Sequence, residues 1–279
     1  MKNNFLKITS TLILLLSFFN LTFADEFIFN ITEIEVTDNG NNYKGTKRGK
    51  ITTSKEIEIT SDNFEYLKKI NQLKAYGNAQ ILDKKKGMKI DADVIFYLKD
   101  KETIYTVGKT LIRILDKYEI EGYDIKLLRN EKLLTSLKPA IIKDIFNNTI
   151  YELSEFNFLI NEEILKGKEI SITTENNTNK SDRYLLDTGI FNFKDKKFLA
   201  SDTNLIFHKT LFDDDKNDPR LKSISSHGDE FNTYFEKGVF TSCKKTDKCP
   251  PWKIKSKEIK HDKIKKRITY TSSWLSIYD

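Results

Sequence analysis

The chain has 279 residues, of which 38% are hydrophobic and 32% charged, which is enough apolar material for one large or two modest domains. Its formal net charge of +6 comes from 41 lysines and 6 arginines against 41 acidic residues. Arginine is the usual reader of nucleic-acid phosphates and bases. Its scarcity therefore argues against a nucleic-acid partner and favours lysine-rich faces exposed to solvent.

Residues 1–24 have the layout of a secretory signal peptide. Two lysines precede a short apolar run at 12–19, and the small residues Thr22 and Ala24 precede a cleavage site before Asp25. The alternative is a membrane anchor, but this run is shorter than the roughly 20 apolar residues that a spanning helix needs. We therefore expect an exported mature chain that begins at Asp25.

A six-residue pattern recurs through the mature chain, with an apolar residue first and last and a small residue in the third position. Clear copies begin at Ile59, Ile90, Ile120, Leu165 and Ile254, and a weaker copy begins at Phe198. If the first and third residues face inward, the sixth is out of phase with them. We therefore predict that each strand bends or bulges between the third and sixth positions.

Period-2 alternation surrounds these copies. In "LKAYGNAQI", Leu73, Ala75, Gly77, Ala79 and Ile81 share one face, and "TIYTVGKTLIRI" alternates in the same way about its central glycine. Turn signals such as "DKKKG" recur between the segments, so the pattern predicts an all-β sandwich, solenoid or barrel-like stack. Alternation does not decide whether the apolar interior is a packed core or a slot open to a ligand.

Both cysteines lie in "GVFTSCKKTDKCPPW", at Cys243 and Cys249. Two cysteines in an exported chain usually form a disulfide. A zinc site needs four ligands at closer spacing, and a redox pair is normally Cys-x-x-Cys. A disulfide is the favoured interpretation, while pairing with another segment or chain stays open.

Two short motifs are compatible with an enzyme or a metal site. "FDDDKNDP" at 212–219 begins like a calcium loop but lacks its glycine and final glutamate. "SSHGD" contains Ser226, His227 and Asp229, but a catalytic triad is set by geometry across a fold and not by adjacency in sequence. We therefore expect no enzymatic activity, no cofactor and no metal.

The stretches "LKAYGNAQI" and "MKIDADVIFY" resemble the OstA-like β-jellyroll repeat of lipopolysaccharide transport proteins. The C-terminal region, with Thr241-Ser-Cys243, Cys249-Pro-Pro-Trp252 and the closing "WLSIYD", is similar to the end of the periplasmic domain of the LptD (organic solvent tolerance) family of outer-membrane lipopolysaccharide-assembly proteins. The resemblance covers about 51–279, after a lead-in segment at 25–50. It implies an all-β, elongated β-jellyroll (a taco of stacked short antiparallel strands) with an apolar interior groove.

What the resemblance implies about function is non-enzymatic lipopolysaccharide transport at the periplasmic face of the outer membrane. The jellyroll would receive lipopolysaccharide from a periplasmic bridge protein joined by edge-strand pairing, and guide its acyl chains to an outer-membrane translocon. A lipoprotein plug would be a further partner if a barrel is present. Family members continue into that barrel while this sequence ends at Asp279, so we expect a fragment or a truncated form. The alternative is a soluble or anchored jellyroll relay or scaffold of the same pathway.

The resemblance also implies site residues. A local Cys243–Cys249 bridge would staple the last turn of the domain. The candidate groove-lining residues are Ile59, Leu73, Ala75, Gly77, Ala79, Ile90, Ala92, Ile104, Gly108, Ile120, Gly122, Ile125, Leu165, Ile170, Ile254 and Ile259.

Overall fold

The computed structural model describes residues 27–54, 57–175, 178, 180–212, 217–246 and 251–278. The expected signal peptide lies outside these residues. Strands account for 70% of the structure and helices for 5%, so the predicted all-β class is confirmed. No helix in the described ranges is long and apolar enough to span a membrane.

The described residues form twenty strands and four short 3-10 turns. The strands are β1 (Phe27–Asn30), β2 (Ile34–Thr37), β3 (Asn42–Thr53), β4 (Ile57–Leu67), β5 (Gln72–Asp83), β6 (Met88–Leu98), β7 (Thr103–Ile114), β8 (Tyr118–Tyr123), β9 (Lys126–Leu128), β10 (Leu133–Ser136), β11 (Ala140–Asp144), β12 (Thr149–Leu153), β13 (Glu155–Leu159), β14 (Ile164–Thr173), β15 (Arg183–Asn192), β16 (Lys197–Ile206), β17 (Arg220–Gly228), β18 (Asn232–Thr241), β19 (Trp252–Asp262) and β20 (Arg267–Ile277). The 3-10 turns are Asp38–Gly40, Lys68–Ile70, Lys84–Lys86 and Lys209–Phe212.

Each long strand bends near its middle, because the antiparallel register skips there. Between β6 and β7 the paired residues jump from Ala92 to Val94, and between β19 and β20 they jump from Ser256 to Glu258. These skips fall inside the six-residue pattern, after its third position. They bring the sixth residue back into phase, so Ile90 and Ile95 are both buried. The predicted bend is confirmed.

The bends divide the sheet into two walls. Wall I consists of the short strands β1, β8, β11 and β12 and of the halves of the long strands that are hydrogen-bonded in the same row. Wall II consists of the short strands β2, β9, β10 and β13 and of the other halves of the long strands. In β6, for example, residues 88–92 pair within wall I and residues 94–98 within wall II. The hairpin turns form a row along the edge of each wall that lies away from the bends. We call the space between these two rows the mouth.

The two walls are also joined by continuous hydrogen bonding. The order β7–β8–β11–β12–β14–β13–β10–β9 returns to β7 and forms a closed ring of eight strands, because β7 and β14 each pass from one wall to the other. The inward faces of both walls build one large buried cluster from Phe27 to Ala200. A smaller cluster from Leu205 to Ile259 continues towards β20. The fold is a β-jellyroll of stacked antiparallel strands around an apolar interior, as predicted.

The two ends of the stack differ in their strands. At the N-terminal end, β1 and β2 each pair with one half of β3, so strands already lie in the described part, 27–50, of the segment that was expected to lead into the jellyroll. At the other end, β20 pairs with β19 and with no other strand in the described part of the chain. Both ends therefore present strand edges.

Candidate functional site

The interior between the walls is built from the first, third and sixth residues of the repeated pattern, which all face inward because of the bend. Of the candidate groove residues, the side chains that are at most 2% exposed are Ile59, Leu73, Ala75, Ala79, Ile90, Ile104, Ile120, Ile125, Leu165, Ile170 and Ile259. Gly122 is also buried, whereas Ala92 and Ile254 are half-buried. The structure therefore brings most of these residues to one apolar interior.

Gly77 and Gly108 lie at the bends, which separates them from the other candidates. Both have positive φ, +76° and +86°, a conformation that glycine adopts without strain. A Cβ on Gly108 would lie 2.3 Å from Oδ2 of Asp93, in the neighbouring bend. Glycine is therefore needed at these two positions because successive bends stack closely. The sequence pattern had instead assigned both residues to the inward face.

Aspartates in the bends form hydrogen bonds that the sequence analysis missed. The backbone N–H of Gly108 donates to Oδ1 of Asp124 (2.8 Å), and that of Lys109 donates to Oδ2 of Asp93 (2.9 Å). A hydrogen bond from Lys138, and next the one from Gly108, lower the pKa of Asp124. The signal for this role was present, because an aspartate comes one or two residues after the small residue in the copies that begin at Ile59, Ile90, Ile120 and Phe198.

Aromatic side chains from opposite walls contact each other across the interior. The ring of Tyr118 in wall I lies 5.4 Å from that of Phe158 in wall II, edge to face. The rings of Phe27 and Tyr97 are 5.7 Å apart in the same geometry. Such pairs contribute about 0.5–1.5 kcal/mol each beyond the area they bury. In this structure the walls are therefore in contact, and side chains fill the interior.

A buried ionic network closes the mouth near its middle. Nη2 of Arg129, in a wall II turn, lies 3.3 Å from Oδ2 of Asp83, in a wall I turn. Nη1 of Arg129 also forms an ion pair with Glu102 and donates to the hydroxyl of Tyr97 at 2.9 Å. That hydroxyl donates in turn to Oε2 of Glu102 (3.0 Å), and burial raises the pKa of Tyr97. This network links the two rows of turns, and the sequence analysis did not find it.

A second link closes the mouth further along. Glu163 in a wall II turn accepts hydrogen bonds from Lys117 and from the hydroxyl of Tyr118 (2.7 Å), which belong to wall I. Burial alone would raise the pKa of Glu163, but these two hydrogen bonds, together with the charges of Lys117 and Lys194, outweigh it and lower the pKa. The ring of Phe193 stacks on Tyr118 at 5.4 Å and covers this link.

The residues of the alternative catalytic motif do not come together. Ser226 is fully buried and hydrogen-bonded to Oγ1 of Thr203 at 2.6 Å. His227 is on the opposite, exposed face of the same strand, where its ring stacks on Tyr234 at 5.1 Å. The carboxylate of Asp229 accepts backbone N–H groups of its own turn. These contacts explain all three residues as parts of the strand and its turn.

The remaining motifs fall partly outside the described residues. Asp213 and Asp215 of the calcium-like segment and Cys249 of the predicted disulfide are among those not described. Cys243 is half-buried, lies 3.6 Å from the carbonyl oxygen of Trp252, and forms no disulfide with another described residue. Within the described ranges, no group of three or more His, Cys, Asp or Glu side chains is arranged to hold a metal ion.

No protein-family model matches the chain, and no curated protein matches it.

Proposed function

We propose that this chain binds the acyl chains of lipopolysaccharide between its two walls and passes the lipid on without making or breaking a bond. The observation that supports this proposal is the apolar interior, which runs along the stack between the inward faces of the two walls. The resemblance of the chain to the OstA-like jellyrolls of outer-membrane lipopolysaccharide-assembly proteins is the reason for proposing lipopolysaccharide as the lipid. The site of action would be the periplasm, at the inner face of the outer membrane.

Because side chains fill the interior, binding requires the walls to separate at the mouth. Burial of hydrocarbon contributes about 0.8 kcal/mol per CH₂. An acyl chain of a dozen carbons would then gain on the order of 10 kcal/mol, which is large beside the about 0.5–1.5 kcal/mol of each aromatic pair that it would replace. An opening driven by acyl burial is therefore energetically reasonable.

Photo-crosslinking to lipopolysaccharide tests the proposal with matched positions on the same strands. A probe replaces Ile90, which is buried, or Lys89, its neighbour on the outward face. A second pair is Ile125 and Lys126. We expect crosslinks at the two isoleucine positions and none at the lysine positions. Equal crosslinking at inward and outward positions, or none at either, would contradict the proposal and leave the interior as a packed core.

The second candidate is a relay or scaffold of the same pathway that joins other jellyrolls by strand addition. The observation that favours it is the edge of β20, where Trp274, Leu275 and Ile277 are all more than half exposed. An unpaired strand edge with apolar side chains is a template for an added strand. A probe at Trp274 should then crosslink to an added jellyroll protein of the pathway, and Leu275→Lys combined with Ile277→Lys in the probe-bearing chain should abolish that product. Retention of the product in this variant would count against edge pairing.

A further inference from the structure

Positive charge without counter-ions is concentrated in the turn of wall II that joins β19 to β20. The segment 262–267 reads "DKIKKR" and holds four cations and one carboxylate. Nζ of Lys263 donates to a backbone carbonyl of the neighbouring turn at 3.1 Å. Lys265, Lys266 and Arg267 are exposed and form no ion pair with a carboxylate in the described ranges. Three cations therefore face solvent unpaired in the row of turns along the mouth.

The carboxylates near this turn are already engaged. Oδ1 of Asp262 accepts the backbone N–H of Lys265 at 2.9 Å. In the adjacent turn, which joins β17 to β18, Asp229 accepts two backbone N–H groups at 2.8 Å. The next carboxylate of that turn, Glu230, forms an ion pair with Lys196. Within the described part of the chain, the local excess of positive charge is therefore not neutralised.

Large apolar side chains occupy the tips of the same two turns. Ile264 is 69% exposed and Phe231 is 51% exposed. The backbone N–H of Lys263 donates to the carbonyl oxygen of Phe231 at 2.9 Å, so the two turns lie side by side on one edge of wall II. Turns usually carry Gly, Pro, Asn, Asp or Ser, and burial within the fold explains neither apolar side chain. The two turns therefore combine unpaired cations with exposed apolar tips.

We propose that these two turns form a docking site for the surface of an anionic lipid bilayer. Ile264 and Phe231 enter the headgroup layer, and the cations at 265–267 contact lipid phosphates. Such a bilayer offers both kinds of contact at one surface, as it does to interfacial segments that combine cations with bulky apolar residues. An acidic protein surface would pair with the cations, but the projecting apolar tips would need a matching hollow in it. Because both turns belong to the row along the mouth, the bilayer lies against that edge of wall II.

The cations and the apolar tips should contribute separately to binding. A basic residue close to an anionic surface contributes about fivefold in affinity. Partial burial of one large aliphatic side chain contributes about tenfold. Salt screens only the first contribution, because the screening length falls from ~10 Å at 0.1 M to ~3 Å at 1 M.

Co-sedimentation of the mature chain with vesicles tests the site, with equimolar phosphatidylglycerol and phosphatidylcholine compared with phosphatidylcholine alone. We expect binding to the anionic vesicles only, and weaker binding as the salt concentration rises. Lys265→Gln combined with Lys266→Gln should weaken binding about 25-fold, at about fivefold for each cation. The control, Lys222→Gln combined with Lys237→Gln, removes the same charge from exposed lysines outside the mouth. It should weaken binding less than about twofold, because those lysines lie beyond the screening length of the bilayer surface.

A second arm tests the insertion of the apolar tip. Ile264→Ser should weaken binding about tenfold. Ile224→Ser, at a 49% exposed isoleucine in the bend of β17, should leave binding unchanged. After subtraction of the signal of the unaltered chain, brominated phosphatidylglycerol should quench the added fluorescence in Ile264→Trp and not in Ile224→Trp.

Three results would overturn the proposal: no binding to anionic vesicles, equal losses in the two double lysine variants, or no effect of Ile264→Ser together with no quenching. The last result, with binding of polyglutamate that the Lys265 and Lys266 substitutions weaken, would assign the turns to an acidic protein instead. All the substituted side chains are exposed, so the variants should fold, and thermal unfolding midpoints check this. The docking site does not depend on the proposed transport function, which crosslinking at Ile90 tests separately.

Discussion

Replacing Arg129 with methionine perturbs the network that holds the mouth closed. The change removes the guanidinium and leaves the carboxylates of Asp83 and Glu102, whose side chains are 2% and 10% exposed, without their main counter-ion. At 3.3 Å and an effective dielectric constant of 20, the gross attraction of one such pair is about 5 kcal/mol. Removing one partner of a buried pair costs about 3–5 kcal/mol in measured cases. We therefore expect the free energy of unfolding to fall by about that amount.

Urea denaturation of the mature chain, followed by tryptophan fluorescence and circular dichroism, measures this change. The control is Arg113→Met, because Arg113 is 42% exposed and pairs with Asp91 and Glu119 on the outer face. Exposed pairs contribute about 0–1 kcal/mol, so the control should shift the midpoint little. Both variants should keep the slope of the transition if the surface exposed on unfolding is unchanged.

A triple variant tests the electrostatic reason directly. Arg129→Met combined with Asp83→Asn and Glu102→Gln removes the uncompensated charges and keeps an oxygen at position 83 to accept from the backbone N–H of Lys86. We expect it to recover at least half of the lost free energy. A loss in Arg129→Met no larger than that in Arg113→Met, or no recovery in the triple variant, would refute the reasoning.

Two further predictions concern a bend and a buried histidine. Gly108→Ala should destabilise the fold by roughly 2 kcal/mol more than the control Gly40→Ala. Both glycines have positive φ, but only a Cβ at position 108 would meet a neighbouring atom, Oδ2 of Asp93. Equal losses of stability in denaturant unfolding would contradict this prediction. Burial lowers the pKa of His261 below its ordinary 6.5. Below about pH 6.5, the unfolded state therefore binds a proton that the folded state does not. The free energy of unfolding should fall as the pH drops from 6.5 to the folded pKa, by up to about 1.4 kcal/mol per pH unit. His261→Asn should flatten that part of the curve relative to the unaltered chain, and an unchanged curve would show that His261 is not responsible.

The bends and the inward faces were predictable because they are local properties of a strand. Side chains alternate with period 2 along a strand, so the isoleucines and small residues of each copy already mark one face. The out-of-phase sixth residue also required a bend, and the structure places one at Ala92–Val94 and at Ser256–Glu258. Gly77 and Gly108 were assigned to the inward face but lie at the bends, because period alone does not distinguish a residue facing inward from one at the turning point.

The contacts across the mouth could not be predicted, because they depend on residues that the register brings together from distant turns. Asp83 and Arg129 are 46 positions apart in sequence and belong to turns of different walls. Nothing near Arg129 marks it as buried, except that arginine is rare in this lysine-rich chain. The scarcity is consistent with its role, since guanidinium can bind two carboxylates and a hydroxyl at once, which an ammonium group does less well.

The sequence by itself determined the all-β class, the positions of the bends and the set of side chains that face the interior, because each follows from alternation and turn chemistry within a few residues. The tertiary structure alone decided that the walls touch, that side chains fill the space between them and that a buried arginine closes the mouth. The distance between two walls depends on the sum of contacts such as Tyr118 with Phe158. Those contacts join residues far apart in the chain, and no local pattern encodes them.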